Sequence, residues 1–259
     1  MMWDTRQRAD LGGLSAIVSG TGPPMLLIHG VGLRAEAWAG QIDALSSEFT
    51  TIAVDLLGHG GSALPDRDLS LADYTNAFAA TLDSPTVVVG HSMGAMIALD
   101  LAIRFPERVR GVAALNAIHQ RSAMARAAVV ARAARLDGVG RADPTETLDR
   151  WFGSAPSQAR DAARTWLGEV NPAGYAMAYR VFADEDGADP QDLKMLTCPA
   201  LYLTGSDEPN STPAMSHRMA DLTPMGRSII IDGAAHMMPM THVDLVNAAL
   251  LDFARACSP

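Results

Sequence analysis

Six short apolar runs recur along the chain between turn-forming residues, at 25–29 (MLLIH), 51–55 (TIAVD), 86–90 (TVVVG), 111–115 (GVAAL), 200–204 (ALYLT) and 228–232 (SIIID). A strand with one wet face alternates apolar and polar residues. These runs are continuous, which predicts strands covered on both faces, as in a parallel sheet. A weaker stretch at 15–18, between Gly12-Gly13 and the turn residues 20–24, predicts an antiparallel edge hairpin. Between the runs, 70–82, 93–105 and 242–256 carry helical spacing. Ser70 with Asp73 three residues on resembles an N-terminal capping pair, and Pro106 stops the second helix. Alternating strands and helices predict an α/β fold, a mostly parallel, doubly wound sheet flanked by helices.

One interval departs from this rhythm. From 117 to 190 there is no strand-like run, only Ala/Arg-rich helical sequence in pieces at 122–136, 144–152, 158–170 and 174–184, divided by Gly138, Gly140, Pro156 and Pro172. A helical insertion of this size reads as a lid over one end of the sheet. The expected organisation is a core of 1–116 and 191–259 with a helical cap at 117–190. Arg121, Arg126, Arg132 and Arg135 fit either a substrate-facing patch or a solvated helix face, and the solvated face is the favoured reading.

Composition narrows the function. The 259 residues are 48% hydrophobic and 19% charged, enough apolar material for a substantial core, and the net charge is −9. An acidic chain without a basic face is not expected to bind nucleic acid. Lys194 is the single lysine, so Schiff-base and pyridoxal chemistry would rest on that residue alone. No G-x-x-x-x-G-K-[ST] string occurs. The glycines at 58, 60 and 61 do not form G-x-G-x-x-G, which argues against a dinucleotide site. Cys198 and Cys257 are too few and too scattered for a disulfide scaffold. The first sixteen residues lack the apolar stretch of an export signal, and no run reaches the length of a membrane span. A cytoplasmic location without membrane association is the expectation. Oligomeric state is left open.

The strongest local signal is Gly90-His91-Ser92-Met93-Gly94. It fits G-x-S-x-G, follows one predicted strand and opens a predicted helix, the context of a nucleophile elbow. A serine on so sharp a turn needs glycines beside it, because a Cβ there would clash. A serine hydroxyl also needs a base held by an acid. In the elbow's chain order Ser, acid, His, the base falls after the last strand, where His236 stands; His242 is the fallback and is better read as a helix cap. The acid falls after the preceding strand, where Asp207 and Glu208 compete. Two backbone donors should form an oxyanion hole, one at Met93 and the other at Val31 in the glycine-rich loop 29–32. Trp38 and Met237 are candidates for contact with substrate. His236 and His242 are six apart, not the i, i+4 spacing of zinc ligands, and no metal is expected.

Taken together, HGVG at 29–32, the stretch from Asp55 through Gly58 and Gly60 to Ser62, GHSMG at 90–94 and GAAH at 233–236 resemble an α/β-hydrolase-fold enzyme over nearly the whole chain. Within that fold the chain is similar to the 3-oxoadipate enol-lactonase-like serine esterases, whose cap helix 171–186 resembles. The resemblance implies G-x-x-D-P after the acid-bearing strand, which places Glu208, followed by Pro209, at the aspartate position. Ala235 departs from the glycine usual before the histidine. Dehalogenases and epoxide hydrolases of this fold carry a carboxylate in the elbow, so Ser92 argues against both. The implied function is cofactor-free hydrolysis of a small carboxylic ester or lactone through an acyl-enzyme. A carbon–carbon bond hydrolase is the alternative within the fold, and a non-catalytic ligand-binding protein the alternative outside enzymes. An arginine facing the pocket would point to an anionic substrate, an apolar pocket to neutral esters.

Overall fold

The computed structural model describes residues 3–141 and 143–257; Met1 and Met2, where an export signal was discounted, and the end of the expected core at 258–259 lie outside them. The described strands are β1 (Ala9–Asp10), β2 (Ser15–Ser19), β3 (Pro24–Ile28), β4 (Thr50–Val54), β5 (Thr86–His91), β6 (Val109–Leu115), β7 (Ala200–Gly205) and β8 (Gly226–Ile231). They form one sheet in the order β1-β2-β4-β3-β5-β6-β7-β8. β2 runs antiparallel to β1 and β4, and the other pairings are parallel. The six apolar runs thus became the six parallel strands.

Helices cover both faces. They are α1 (Ala39–Leu45), α2 (Leu71–Ala79), α3 (Met93–Arg104), α4 (Ala123–Ala133), α5 (Thr145–Phe152), α6 (Gln158–Glu169), α7 (Pro172–Asp184), α8 (Pro190–Lys194), α9 (Pro213–Leu222), α10 (Met238–Thr241) and α11 (Val243–Cys257). Successive residues of one strand enter opposite cores. Leu26 and Ile28 of β3 pack with Phe78 of α2 and Leu99 of α3, while Met25 and Leu27 pack with Ile42 of α1 and Leu250 of α11. This two-sided burial is the physical reason the runs are continuous. The expected cap at Ser70 is present in full: its hydroxyl accepts from the Asp73 N–H, and the Asp73 carboxylate accepts from the Ser70 N–H.

Between β6 and β7 the described residues form α4 to α8 and no strand. Pro172, expected to divide two helices, occupies the first turn of α7, with the Asn171 side chain accepting from Ala173 and Gly174 N–H. A proline in the first turn forfeits no intrahelical hydrogen bond, so it starts a helix as readily as it ends one. The helices α1, α8, α9 and α10 were not anticipated. α1, α8 and α10 are short, at seven, five and four residues, too little chain for a helical period to register.

Candidate active site

The C-terminal ends of β3, β5, β7 and β8 converge on one edge of the sheet, and each delivers part of the site. Ser92 follows β5 with φ 57° and ψ −118°, a backbone conformation foreign to most side-chain-bearing residues. Its neighbours explain how the turn closes. A Cβ on Gly90 would lie 2.0 Å from the Gly94 carbonyl oxygen, and one on Gly94 would lie 2.1 Å from that of Ile28. Both glycines of the pentapeptide are therefore required by close backbone approach. The turn projects Ser92 at the N-terminus of α3, where the first amides have no intrahelical acceptor.

His236 lies in the loop after β8, and its Nδ1 donates to Glu208 Oε2 at 2.7 Å. The second Glu208 oxygen accepts from the N–H groups of Asn210 at 2.7 Å and Ser211 at 3.2 Å. Asn116 Nδ2 donates to Oε2 at 3.1 Å. Burial alone would push the Glu208 carboxyl up. The adjoining His236 and the two backbone donors overrule it and hold the group down at about 2. The longer side chain of a glutamate is accommodated by these donors, which grip the carboxylate at both ends. Asn116 itself was not foreseen; its positive φ of 50°, invisible in sequence, turns its amide towards Glu208. Asp207 points elsewhere. It is exposed, with Oδ1 3.1 Å from Ser206 Oγ, so of the two competing carboxylates only Glu208 reaches the imidazole.

The His236 ring touches two other rings. His91 is tilted against it with ring centroids 4.9 Å apart and donates from Nε2 to the His236 carbonyl at 2.8 Å. Trp151 of α5 stacks at 5.7 Å and 25°. Holding Nδ1 on a carboxylate leaves Nε2 as the ring's free nitrogen, the arrangement of a general base. His242, the fallback, is bonded to its neighbour Thr241 and sits before α11.

Ser92, His236 and Val31 line one cavity of about 230 Å³. The Ser92 hydroxyl and the imidazole are not hydrogen-bonded to each other here, a common state of such pairs before substrate tightens them. Val31 and Met93 are both buried, and neither N–H has an acceptor among the described residues. Buried amides without partners are rare, and two beside a serine can receive a developing oxyanion. Asn210 and Ser211 line it after β7, and the rest of the cavity comes from the segment between β6 and β7. It includes Arg121, Arg150 of α5, and Tyr175, Tyr179 and Phe182 of α7.

Here the expectation of a wholly solvated arginine face fails. Arg121 is buried, donating to the carbonyls of Glu185 at 2.6 Å and Phe182 at 3.0 Å with its guanidinium 4.5 Å from the Phe182 ring centre. Arg132 donates to Thr147 Oγ1 at 2.6 Å. Arg150, which no sequence signal singled out, makes no hydrogen bond or ion pair among the described residues. Partial burial first, and then the neighbouring Arg132 cation, lower its pKa from the ordinary value. Trp38 and Met237 also require correction. Both are buried around a void of about 10 Å³ with His29 and His91, and neither lines the Ser92 cavity. Their apolar bulk packs the layer under the site. Among the described residues no cluster of three His, Cys, Asp or Glu side chains is placed to hold a metal ion, and no helix is long and apolar enough to cross a membrane.

A parallel sheet carrying a serine on a strained strand-to-helix turn, opposite a carboxylate-held histidine, defines a class, and comparison agrees. The alpha/beta hydrolase family model matches residues 25–249, and the chain belongs to that family. It is 38% identical over 237 residues to an (E)-2-((N-methylformamido)methylene)succinate hydrolase of Acinetobacter baylyi, covering 89% of this chain and 90% of the relative. Among solved structures it resembles a thermophilic esterase from Thermogutta terrifontis, solved with malate bound, with TM-score 0.86, 26% identity, and coverage of 98% of this chain and 100% of that one. The enol-lactonase of Burkholderia xenovorans shares the fold with TM-score 0.83 and 23% identity, over 96% of this chain and 100% of that one.

Proposed function

We propose that this protein is a serine hydrolase that cleaves the acyl bond of a small carboxylate-bearing ester or lactone through an acyl-enzyme. Ser92 attacks the carbonyl carbon while His236 Nε2 takes its proton, and Glu208 holds the imidazole with its Nδ1–H fixed. The Val31 and Met93 amides receive the oxyanion. The protonated imidazole then gives its proton to the leaving oxygen, and a water activated by the same ring hydrolyses the acyl-serine.

The observation that carries the reading is one cavity holding Ser92, His236 and an unpaired guanidinium, Arg150. Arg150 is itself exposed, but it stands at the cavity wall with no carboxylate partner, and such a cation favours an anionic ligand group because charge-assisted hydrogen bonds are the strong ones. The relatives support this. The Acinetobacter enzyme is named for a succinate, which carries two carboxylates, and the Thermogutta esterase was solved with malate, another dicarboxylate. The Acinetobacter name also favours a second reading, in which the bond cleaved is the N-acyl bond of a formamido group on the same kind of dicarboxylate.

The test is a substrate panel of monomethyl succinate, methyl butyrate and an N-formyl enamine of a succinate, combined with labelling by a fluorophosphonate. The wild type should hydrolyse an anionic member in preference to methyl butyrate and should label. Ser92→Ala should lose about 10⁴-fold or more in kcat and all labelling. Labelling that survives Ser92→Ala would move the nucleophile elsewhere and end the reading.

A further inference from the structure

The Gly30–Val31 peptide is the part of the site most exposed to error. It joins the carbonyl of Gly30 to the N–H of Val31, and in a trans peptide the two point in opposite directions. Whichever way the carbonyl turns therefore decides whether the amide faces the cavity. The loop passes close to the serine: a Cβ on Gly30 would lie 3.0 Å from Ser92 Cβ and 3.4 Å from its Oγ. A peptide turned over at this point would present an oxygen where the oxyanion must form.

Two buried histidines occupy the other side of this loop. His29 Nδ1 lies 2.7 Å from the Gly30 oxygen, and its Nε2 lies 3.0 Å from the N–H of Leu56. Because Leu56 N–H can only donate, Nε2 must hold a lone pair, and the ring proton is forced onto Nδ1, where it donates to Gly30. The His59 Nε2 accepts from the Gly32 N–H at 3.0 Å, which by the same logic places its proton on Nδ1, 3.3 Å from the Leu57 oxygen. Both rings are about 1% exposed and lie 5.7 Å apart, centre to centre. Burial pushes His29 down to about 4 and His59 to about 3, so each is neutral at ordinary pH, as its acceptor nitrogen demands. The loop's successive peptides are thus held alternately, one by its carbonyl and the next by its amide. A second donor to the Gly30 oxygen, the Leu33 N–H, is longer at 3.3 Å.

We propose that His29 is a positioning residue for catalysis: its Nδ1–H captures the Gly30 carbonyl and so turns the Val31 N–H into the oxyanion hole, with His59 bracing the next peptide. The inference rests on the acyl-enzyme reading and deepens it. Neither histidine lines the Ser92 cavity, so neither touches substrate.

Two substitutions at one position isolate the effect. His29→Phe and His29→Asn both remove the acceptor for Leu56 N–H and share that loss of stability. Only the asparagine keeps an N–H donor beside the Gly30 oxygen. With the substrate the wild type turns over best, His29→Phe should lower kcat about 10- to 100-fold with KM within about threefold, part of the about 10²- to 10³-fold attached to a whole oxyanion donor. His29→Asn should recover at least half of that loss on a logarithmic scale. A kcat loss under tenfold in folded His29→Phe, a matching rise in KM, or less recovery with asparagine would overturn the proposal. If the variants do not fold, ¹⁵N-histidine NMR of the wild-type chain decides: His29 protonated at Nδ1 supports the clamp, and protonation at Nε2 overturns it. Ser92 labelling is read in parallel. Loss of wild-type labelling condemns the acyl-enzyme reading, whereas intact labelling with a failed His29 series condemns the clamp alone.

Discussion

The two walls of the catalytic cavity are built on opposite principles. Every residue of β5, which carries Ser92, is buried, and the loops that hold Glu208 and His236 are pinned by backbone amides and by His91. Across the cavity, α4 has Ala133 as its one buried residue in eleven, with Met124 83% exposed. The sheet edge supplies groups whose positions must be accurate to fractions of an ångström, and close packing provides that accuracy. The helices bring a guanidinium and aromatic surface to the cavity, and groups proposed to recognise a ligand's charge and bulk tolerate looser support than reacting groups do. On the function proposed above, the groups that would do the chemistry stand on the closely packed wall, while α4 is the lightly anchored part of the other.

The contrast can be broken most decisively at the acid. Glu208→Gln should lower kcat about 10³- to 10⁴-fold, the scale of losing the group that fixes a catalytic imidazole, while Asp207→Asn stays within about twofold. Equal effects in steady-state assays would show that the rigid wall does not discriminate between neighbouring carboxylates. The same residue sets a pH dependence. The folded carboxyl lies near 2, below its ordinary 4.5, so its contribution to stability is complete above about 4.5 and is lost as pH falls towards 2. Urea denaturation between pH 5 and 2.5 should show a shallower loss in Glu208→Gln than in the wild type.

Stability separates the walls next. Leu27→Ala, in a fully buried position of β3, should cost about 2–5 kcal/mol in urea unfolding. Recognition comes third. Arg150→Met should raise KM for monomethyl succinate about 10- to 50-fold, on the order of 2 kcal/mol for one hydrogen bond to a charge, and leave methyl butyrate within about threefold. An equal change for both esters would remove Arg150 from recognition. The smallest effect belongs to Met124→Ala on α4, which should change stability by less than about 0.5 kcal/mol; a loss approaching that of Leu27→Ala would mean the helical wall is as firmly packed as the sheet.

Local chemistry was legible from the order of residues because each signal concerns a few neighbouring positions. Continuous apolar runs report burial on two faces, glycines around a serine report a turn that no Cβ fits, and a proline or capping pair reports a helix end. The parallel strands, Ser92, His236, the two amides proposed for an oxyanion hole and the narrowing of the acid to residues 207 and 208 all came from such signals. The choice between those two carboxylates was tipped by likeness to a family. Its physical basis is partly tertiary: the Asn210 and Ser211 amides lie two and three residues on, but Asn116 and His236 reach Glu208 only once β6, β7 and β8 have paired. The cavity's other wall was illegible for a related reason. Arg121 reads as one more member of an arginine-rich helical face, and Arg150 and Trp151 as ordinary helix residues. Trp38 and Met237 lie near the catalytic residues in sequence yet face the core. Which side of a helix meets a cavity depends on how that helix docks, through contacts tens of residues away. Spacing along the chain encodes the period of an element, and only packing sets its rotation.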